Sequence, residues 1–464
     1  MNRRSALAHV IDHLKTGAFL SDLSRRISYP TESQRPDRSE LLLQYLEREI
    51  VPHLRAMNFD CGVIANPVAG MPPLLLAERI EDAHLPTVLL YGHGDVVNGD
   101  ESNWSNQRAP WTLEVEGDRW YGRGIADNKG QHSINLAALA SVLETRGAFG
   151  FNAKVIFEMG EEIGSPGLDA VCARYANRLA ADVLIASDGP RLNSISPTIF
   201  LGSRGVLRLK LTVRSAFGAR HSGNWGGVLA NPATILANAL ASLVDSHGRI
   251  QVIGLLPPPI SSDIRKLIAD LEVGADEGDP PLSQNWGEPG LTPAERIYAW
   301  NTLEILALNA GNLQSVIGAI PDAAEAVCEL RFVVGTNWRN AGQLIIDHLR
   351  HAGFHSVEVK VVGGGEATRT SPNHPWVKWA EHSITETTGK PVTILPNLGG
   401  TIPNASFATT LGLPTIWVPH SYPGCRQHAP DEHLLGSLVL EALQIMVGLF
   451  WDLGESGIDV AVNK

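Results

Sequence analysis

The sequence predicts an α/β protein: a three-layer α/β/α domain, assembled from both ends of the chain, interrupted by an inserted α+β domain. Three observations predict it. Apolar strand signals and helical signals alternate up to residue 203, as in layered α/β domains. From 204 to 365 the strands instead alternate apolar and polar residues, the mark of a sheet with one solvated face. After Gly363-Gly364-Gly365 the first texture returns. The expected domains are residues 1–203, 204–365 and 366–464, and 464 residues exceed one ordinary core.

Residues 5–20 and 38–56 carry helical spacing, the second through Leu41, Leu42, Tyr45, Leu46 and Ile50. Residues 87–91 form a short apolar strand that runs into Gly92-His93-Gly94-Asp95. Residues 113–115 and 120–122 flank Gly117-Asp118 as a hairpin. Residues 128–143 read as an Ala- and Leu-rich helix. Two more buried strands, 154–159 and 182–186, run into GEEIGS and SDGP. Three strands thus end at polar turns, where open α/β sheets form their sites. In the insertion, Leu207, Leu209, Leu211 and Val213 face one way and Arg208, Lys210, Thr212 and Arg214 the other. A helix at 232–244, a loop at 255–290, a strand at 325–334, a helix at 338–352 and a strand at 356–362 follow. The last part reads as a helix at 375–388, strands at 391–395 and 414–418, and a helix at 432–452.

Composition excludes several classes. The chain is 44% hydrophobic with a net charge of −12, so it lacks the basic excess of a nucleic-acid protein. No uninterrupted apolar run is read as reaching bilayer length, and Asp12, His13 and Lys15 break any export signal after Arg3-Arg4. Cys61, Cys172, Cys328 and Cys425 are scattered, which reads as four reduced thiols in a cytoplasmic enzyme. The role of Cys425, three residues before His428, stays open, with packing first.

Five residues at strand ends or tight turns form a candidate metal set: His93, Asp127, Glu162, Asp188 and His428. Each has a plain alternative: His93 as a hydrogen-bonded histidine in a glycine turn, Asp127 as a helix N-cap, Asp188 as a turn aspartate, Glu162 and His428 as ordinary polar surface. Together they recur where a sheet would present them. Imidazole and carboxylate donors without thiolate suit zinc, cobalt or manganese. Five such ligands serve two ions about 3.5–4 Å apart if one carboxylate bridges.

The segments LLYGHGDVV, WYGRGIADNKG, FEMGEEIGSPG, LIASDGP, LGSRG, RHSGNWGG, GGTIP and HAPDE, in that order, resemble the dinuclear zinc peptidases of metallopeptidase family 20. That family includes glutamate carboxypeptidases, aminoacylases, acetylornithine deacetylases and carnosinase-like dipeptidases. The resemblance implies a zinc-peptidase catalytic domain and a four-stranded lid that forms a homodimer. It implies that His93 and Asp188 hold one metal, Glu162 and His428 the other, and that Asp127 bridges. Asp95 would orient His93, and Glu161 would be the general base. A cis peptide is expected at Asp127-Asn128. His221 would reach from a second copy to polarise the scissile carbonyl. Arg331, with Gly400 and Thr401, would bind a substrate carboxylate; a salt bridge to Glu329 is the plain alternative for Arg331.

The reading is a hydrolase with two divalent ions per chain, zinc ahead of cobalt or manganese. It cleaves the amide of a dipeptide or N-acyl amino acid with a free carboxylate. Neither nucleic acid nor membrane is an expected partner. A broader amidase or carbamoylase, an ester or phosphate hydrolase on the same centre, and a silent metal-binding relative are the alternatives. Substrate identity, the metal used and whether Arg331 acts in its own protomer stay open.

Overall fold

The computed structural model describes residues 2–274 and 279–455. An eight-stranded sheet runs in the order Asp60–Ile64, Leu74–Arg79, Asn152–Glu158, Thr87–His93, Val183–Ala186, Thr415–Trp417, Thr198–Phe200, Thr393–Leu395. Its middle is parallel, and Asn152–Glu158 is buried along its whole length. That burial on both faces explains why these strands read as apolar runs rather than alternations. Helices Arg3–Lys15, Lys129–Arg146, Pro375–Thr388 and Gly436–Glu455 pack together on one face. On the other face Leu89, Tyr91, Ile156, Leu184 and Phe200 meet helix Leu168–Arg174 and Phe407. Three-layer α/β/α architecture follows.

A second, antiparallel sheet has the order Thr302–Ala310, Ala323–Phe332, Gly205–Arg214, Glu358–Gly365. Helices Pro232–Leu243 and Ala341–His351 cover one face through Leu236, Leu240, Ile345 and Leu349. They pack on Leu207, Leu209, Leu211 and Val213, the apolar row read from the alternation. The other face carries cross-strand ion pairs, Arg208 with Glu329 and Lys210 and Arg214 with Glu325. Such pairs on a solvated face add little stability, because water screens them. The edge strand Thr302–Ala310 leaves Ile305, Leu306 and Leu308 exposed, and Leu313, Val316 and Ile317 beyond it are more exposed still.

The structure corrects several sequence expectations. The helix expected at 5–20 is two helices, because Gly17 at φ 80° turns the chain between them. The strands Asp60–Ile64, Leu74–Arg79, Thr198–Phe200 and Thr302–Ala310 were not expected. The loop expected at 255–290 contains helix Ser262–Ile268, whose Ile264 and Ile268 pack with the large sheet's core. The last helix starts at Gly436 rather than 432, because His433–Leu435 pairs with Arg119–Tyr121. Asp118 then receives the first N–H groups: its carbonyl accepts from Gly436 and its carboxylate from Ser437. This helix, Gly436–Glu455, is long and apolar enough to cross a bilayer by length and composition, contrary to the sequence reading. Leu443, Met446, Phe450 and Trp451 are instead buried against neighbouring helices, as in the central helix of a packed layer. Truncating Phe450 to Ala would cost about 3–5 kcal/mol of that packing.

Candidate active site

Parallel pairing brings the ends of three strands side by side. His93 ends one strand, Glu158 lies opposite it, and Asp188 follows Val183–Ala186 by two residues. Asp127 arrives from the loop before helix Lys129–Arg146, after a cis peptide to Asn128. His428 comes from the loop before the last helix, at φ 62°. The Asp127 side chain caps no helix; it faces the two histidines.

Its two oxygens face different neighbours. Oδ1 lies 3.0 Å from His93 Nε2, which is also 3.5 Å from Asp188 Oδ2. Oδ2 lies 2.9 Å from His428 Nε2, which is 3.1 Å from Glu162 Oε2. Two possible ion-holding groups result, His93–Asp127–Asp188 and Asp127–Glu162–His428, sharing Asp127. Glu162 Oε1 is buried without a hydrogen-bond partner, an atom that a cation would satisfy. The residues present therefore fit two divalent ions, and the donor types are those zinc, cobalt and manganese accept.

Electrostatics give the same picture. Burial would lower the His93 imidazole, but hydrogen bonds to Asp127, Asp188 and Asp95 outweigh it and hold it well above its ordinary value. His428 is pushed up to about 11 by its hydrogen bonds to Asp127 and Glu162. Burial, then the Asp127 charge, raises Glu162 to about 7, and the same two causes raise Asp188. Burial raises Glu161 well above the carboxylate range, against the pull of His93. Protonated imidazoles here stand in for the positive charge that so many buried carboxylates require.

Asp95 does more than the sequence suggested. Its backbone oxygen lies 3.2 Å and its carboxylate 3.3 Å from His93 Nδ1. The same carboxylate accepts the N–H groups of Glu161 and Glu162, each at 3.1 Å. It thus links the histidine strand to the loop that carries both glutamates.

Arg331 makes the salt bridge to Glu329 that was its plain alternative, and it also reaches Thr401. Nε donates to Glu329 at 2.7 Å and Nη1 to Thr401 Oγ1 at 2.8 Å. Arg204 backs this group, its Nε donating to Gly399 O at 2.7 Å. A cleft of about 880 Å³ contains Glu161, Glu162, Arg331 and Thr401. A second, of about 870 Å³, contains Asp127, Glu161, Asp188, His428, Gly400 and Thr401. Glu161 and Thr401 line both. His221 lines neither: it is exposed on the short strand Arg220–His221, its Nδ1 accepting from Gly223 N–H.

Two residues near the centre escaped the sequence reading. Gln427 donates to Asp127 Oδ2. Glu432, read as a helix start, is buried and accepts from Gly124, Ala126 and Asp127 N–H and from Arg123. It locks the Asp127 loop to the His428 segment. The only signal was its place in HAPDEH, four residues after a candidate ligand. Cys425 packs in the main core, where burial pushes its thiol up to about 12.

Comparison with known proteins agrees with this fold. A cysteinylglycine-S-conjugate dipeptidase of Corynebacterium striatum is 26% identical over 414 residues, 84% of this chain and 87% of its own. The human Beta-Ala-His dipeptidase is 35% identical over 189 residues, 40% of this chain and 37% of its own. Among solved structures, the di-peptidase Dug1p of Saccharomyces cerevisiae superposes with a TM-score of 0.82 at 22% identity, covering 98% of this chain and all of its own. The metallo-carboxypeptidase Sso-CP2 of Sulfolobus solfataricus superposes with a TM-score of 0.81 at 25% identity, over 94% of this chain and 99% of its own. Residues 89–452 match peptidase family M20/M25/M40, and the chain belongs to that family.

Proposed function

We propose that this peptidase hydrolyses the amide bond of a dipeptide, or of an N-acyl amino acid of similar size, that carries a free carboxylate. One observation carries the reading: Asp127 offers one oxygen to each of two histidine–carboxylate sets, with Glu161 beside them. His93 and Asp188 would hold one divalent ion and Glu162 and His428 the other, with Asp127 shared and zinc ahead of cobalt or manganese. When bound, such ions polarise a carbonyl and acidify water. Glu161 takes the proton of the attacking water at its carboxylate and delivers it to the leaving amine nitrogen. Arg331 and Thr401, with the N–H groups around Gly400, hold the substrate carboxylate where the two clefts meet at Glu161 and Thr401.

His221 completes the site from a second copy, in a homodimer formed through the antiparallel sheet. The exposed apolar row Ile305, Leu306 and Leu308 supports that pairing. Residues 204–365 act as the lid and 1–203 with 366–464 as the catalytic domain. A cytoplasmic location goes with the four free cysteines. Names borne by the relatives support the dipeptide end of the substrate range. The test is a mass-spectrometric panel of dipeptides and N-acyl amino acids, each free and amidated at the carboxylate, with zinc-, cobalt- and manganese-loaded enzyme. Cleavage confined to free carboxylates is the expected result. Equal cleavage of amidated members would remove Arg331 from recognition.

A further inference from the structure

Glu158 is a buried carboxylate that the reaction above does not use. It ends strand Asn152–Glu158, opposite His93 and three residues before Glu161. Its Oε1 accepts two hydrogen bonds, from the Tyr91 hydroxyl at 2.8 Å and the Ser165 hydroxyl at 2.9 Å. Tyr91 is a fixed post: it lies on the His93 strand, and its ring meets Phe407 and Trp417 edge-on. Ser165 closes the loop that bears Glu161 and Glu162. It does so at φ 50°, a conformation uncommon outside glycine, with its N–H on Gly160 O at 2.8 Å.

Within itself that loop is a single 3-10 turn, closed by Gly164 N–H on Glu161 O at 2.7 Å and the Ser165–Gly160 bond, and nothing in those bonds fixes it against the sheet. Gly160 and Gly164 flank the two glutamates, and although the Glu162 carboxylate is turned inward, no side chain of residues 161–163 belongs to a hydrophobic core. Backbone with few apolar contacts of its own takes its position from tethers. Asp95 supplies one, at the N–H groups of Glu161 and Glu162. The Ser165 hydroxyl supplies another at the far end, and it leads to Glu158.

We infer that Glu158 is a positioning residue: by joining Ser165 to Tyr91 it fixes residues 160–165 against the His93 strand and so aims the Glu161 carboxylate. The inference rests on the reading of Glu161 as the base. A residue that acts this way touches no substrate, so its loss belongs in kcat and not in KM.

The experiment measures kcat, KM and bound metal for Glu158→Leu, Glu158→Gln, Ser165→Ala, the double variant Glu158→Leu/Ser165→Ala, and Glu161→Gln, all loaded with zinc. Glu158→Leu and Ser165→Ala are expected to lower kcat roughly 10–100-fold, the usual size for outer-shell partners, with KM and two bound metals unchanged. Glu158→Gln keeps an oxygen that accepts both hydroxyls and is expected to stay near wild type. The double variant is expected to fall no further than the worse single one, because both changes break one link. Ser165→Ala removes a single hydroxyl and carries the test if Glu158→Leu does not fold. Wild-type kcat in Ser165→Ala, losses that simply multiply in the double variant, or loss of metal in step with kcat would each overturn the inference. Glu161→Gln separates the two claims. If it is silent while Ser165→Ala and Glu158→Leu turn over normally, only the positioning role fails. If it turns over normally, the base reading fails and takes this inference with it.

Discussion

The strand-end centre and the segment around His221 in the antiparallel-sheet domain are built in opposite ways. At the centre, His93 is fully buried and held by Asp95, Asp127 and Asp188. Asp95 and Glu432 then tie the surrounding loops to one another. In the antiparallel-sheet domain, His221 is exposed, its neighbours Trp225 and Val228 are exposed, and Val316 and Ile317 across from it are exposed too. A cross-tied cluster, buried except at its His428 edge, is finished within one chain. An exposed histidine among uncovered apolar side chains is the look of a surface that meets another surface. The difference teaches that the metal centre and the rest of the active site need not be complete in the same molecule.

Several experiments break or sharpen that contrast. The largest effect belongs to the finished half. Glu161→Gln is expected to lower kcat by about 10²–10⁴-fold, the range of general acid–base catalysis, while two metals stay bound. Near-normal turnover with metal retained would show that the base lies elsewhere. At the boundary between the halves, Arg331→Ala is expected to raise KM roughly 10–100-fold for a free-carboxylate dipeptide, the size of a lost charge-assisted hydrogen bond. Arg331→Lys is expected to recover only part of it, because a lysine cannot reproduce the planar fork. An unchanged KM would leave Arg331 as a salt bridge to Glu329 alone.

The smallest effect is thermodynamic and tests the charge balance of the centre without substrate. His428 rises from 6.5 to about 11 in the folded chain when only carboxylates surround it. A group raised in this way stabilises the fold fully below 6.5 and loses that contribution as pH climbs through about 11. The melting temperature of metal-free protein is therefore expected to fall between pH 7 and 10, and that of metal-loaded protein to change less. Ion binding at pH 7 is expected to release protons, countable by calorimetry in two buffers. Parallel pH curves with and without metal would contradict the picture of imidazolium charge standing in for cations.

Much of the centre was legible because its geometry is local. Apolar runs before His93, Glu161 and Asp188 mark buried parallel strands, and such strands deliver their next residues to one edge of the sheet. What the sequence could not carry was tertiary. Leu74–Arg79 and Thr302–Ala310 lack the clean alternation of a half-exposed strand, and only their neighbours make them strands. Glu432 sits in a plausible helix start, yet its carboxylate is taken by three N–H groups more than three hundred residues away in the chain. Glu158 and Tyr91 look like ordinary strand residues until the register sets them beside His93. Gln427 gave no sign, since its contact with Asp127 depends on how the His428 loop folds.

The most direct test of the account mixes two silent variants. Glu161→Gln lacks the base but keeps His221, and His221→Ala lacks the histidine but keeps the base. If His221 acts across a symmetric dimer, unfolding and refolding the two together in equal amounts restores about a quarter of wild-type turnover, because half the dimers are mixed and each holds one whole site. If the mixture stays as silent as its parts while mixed dimers form, His221 serves its own chain or no site at all, and the contrast drawn here is wrong.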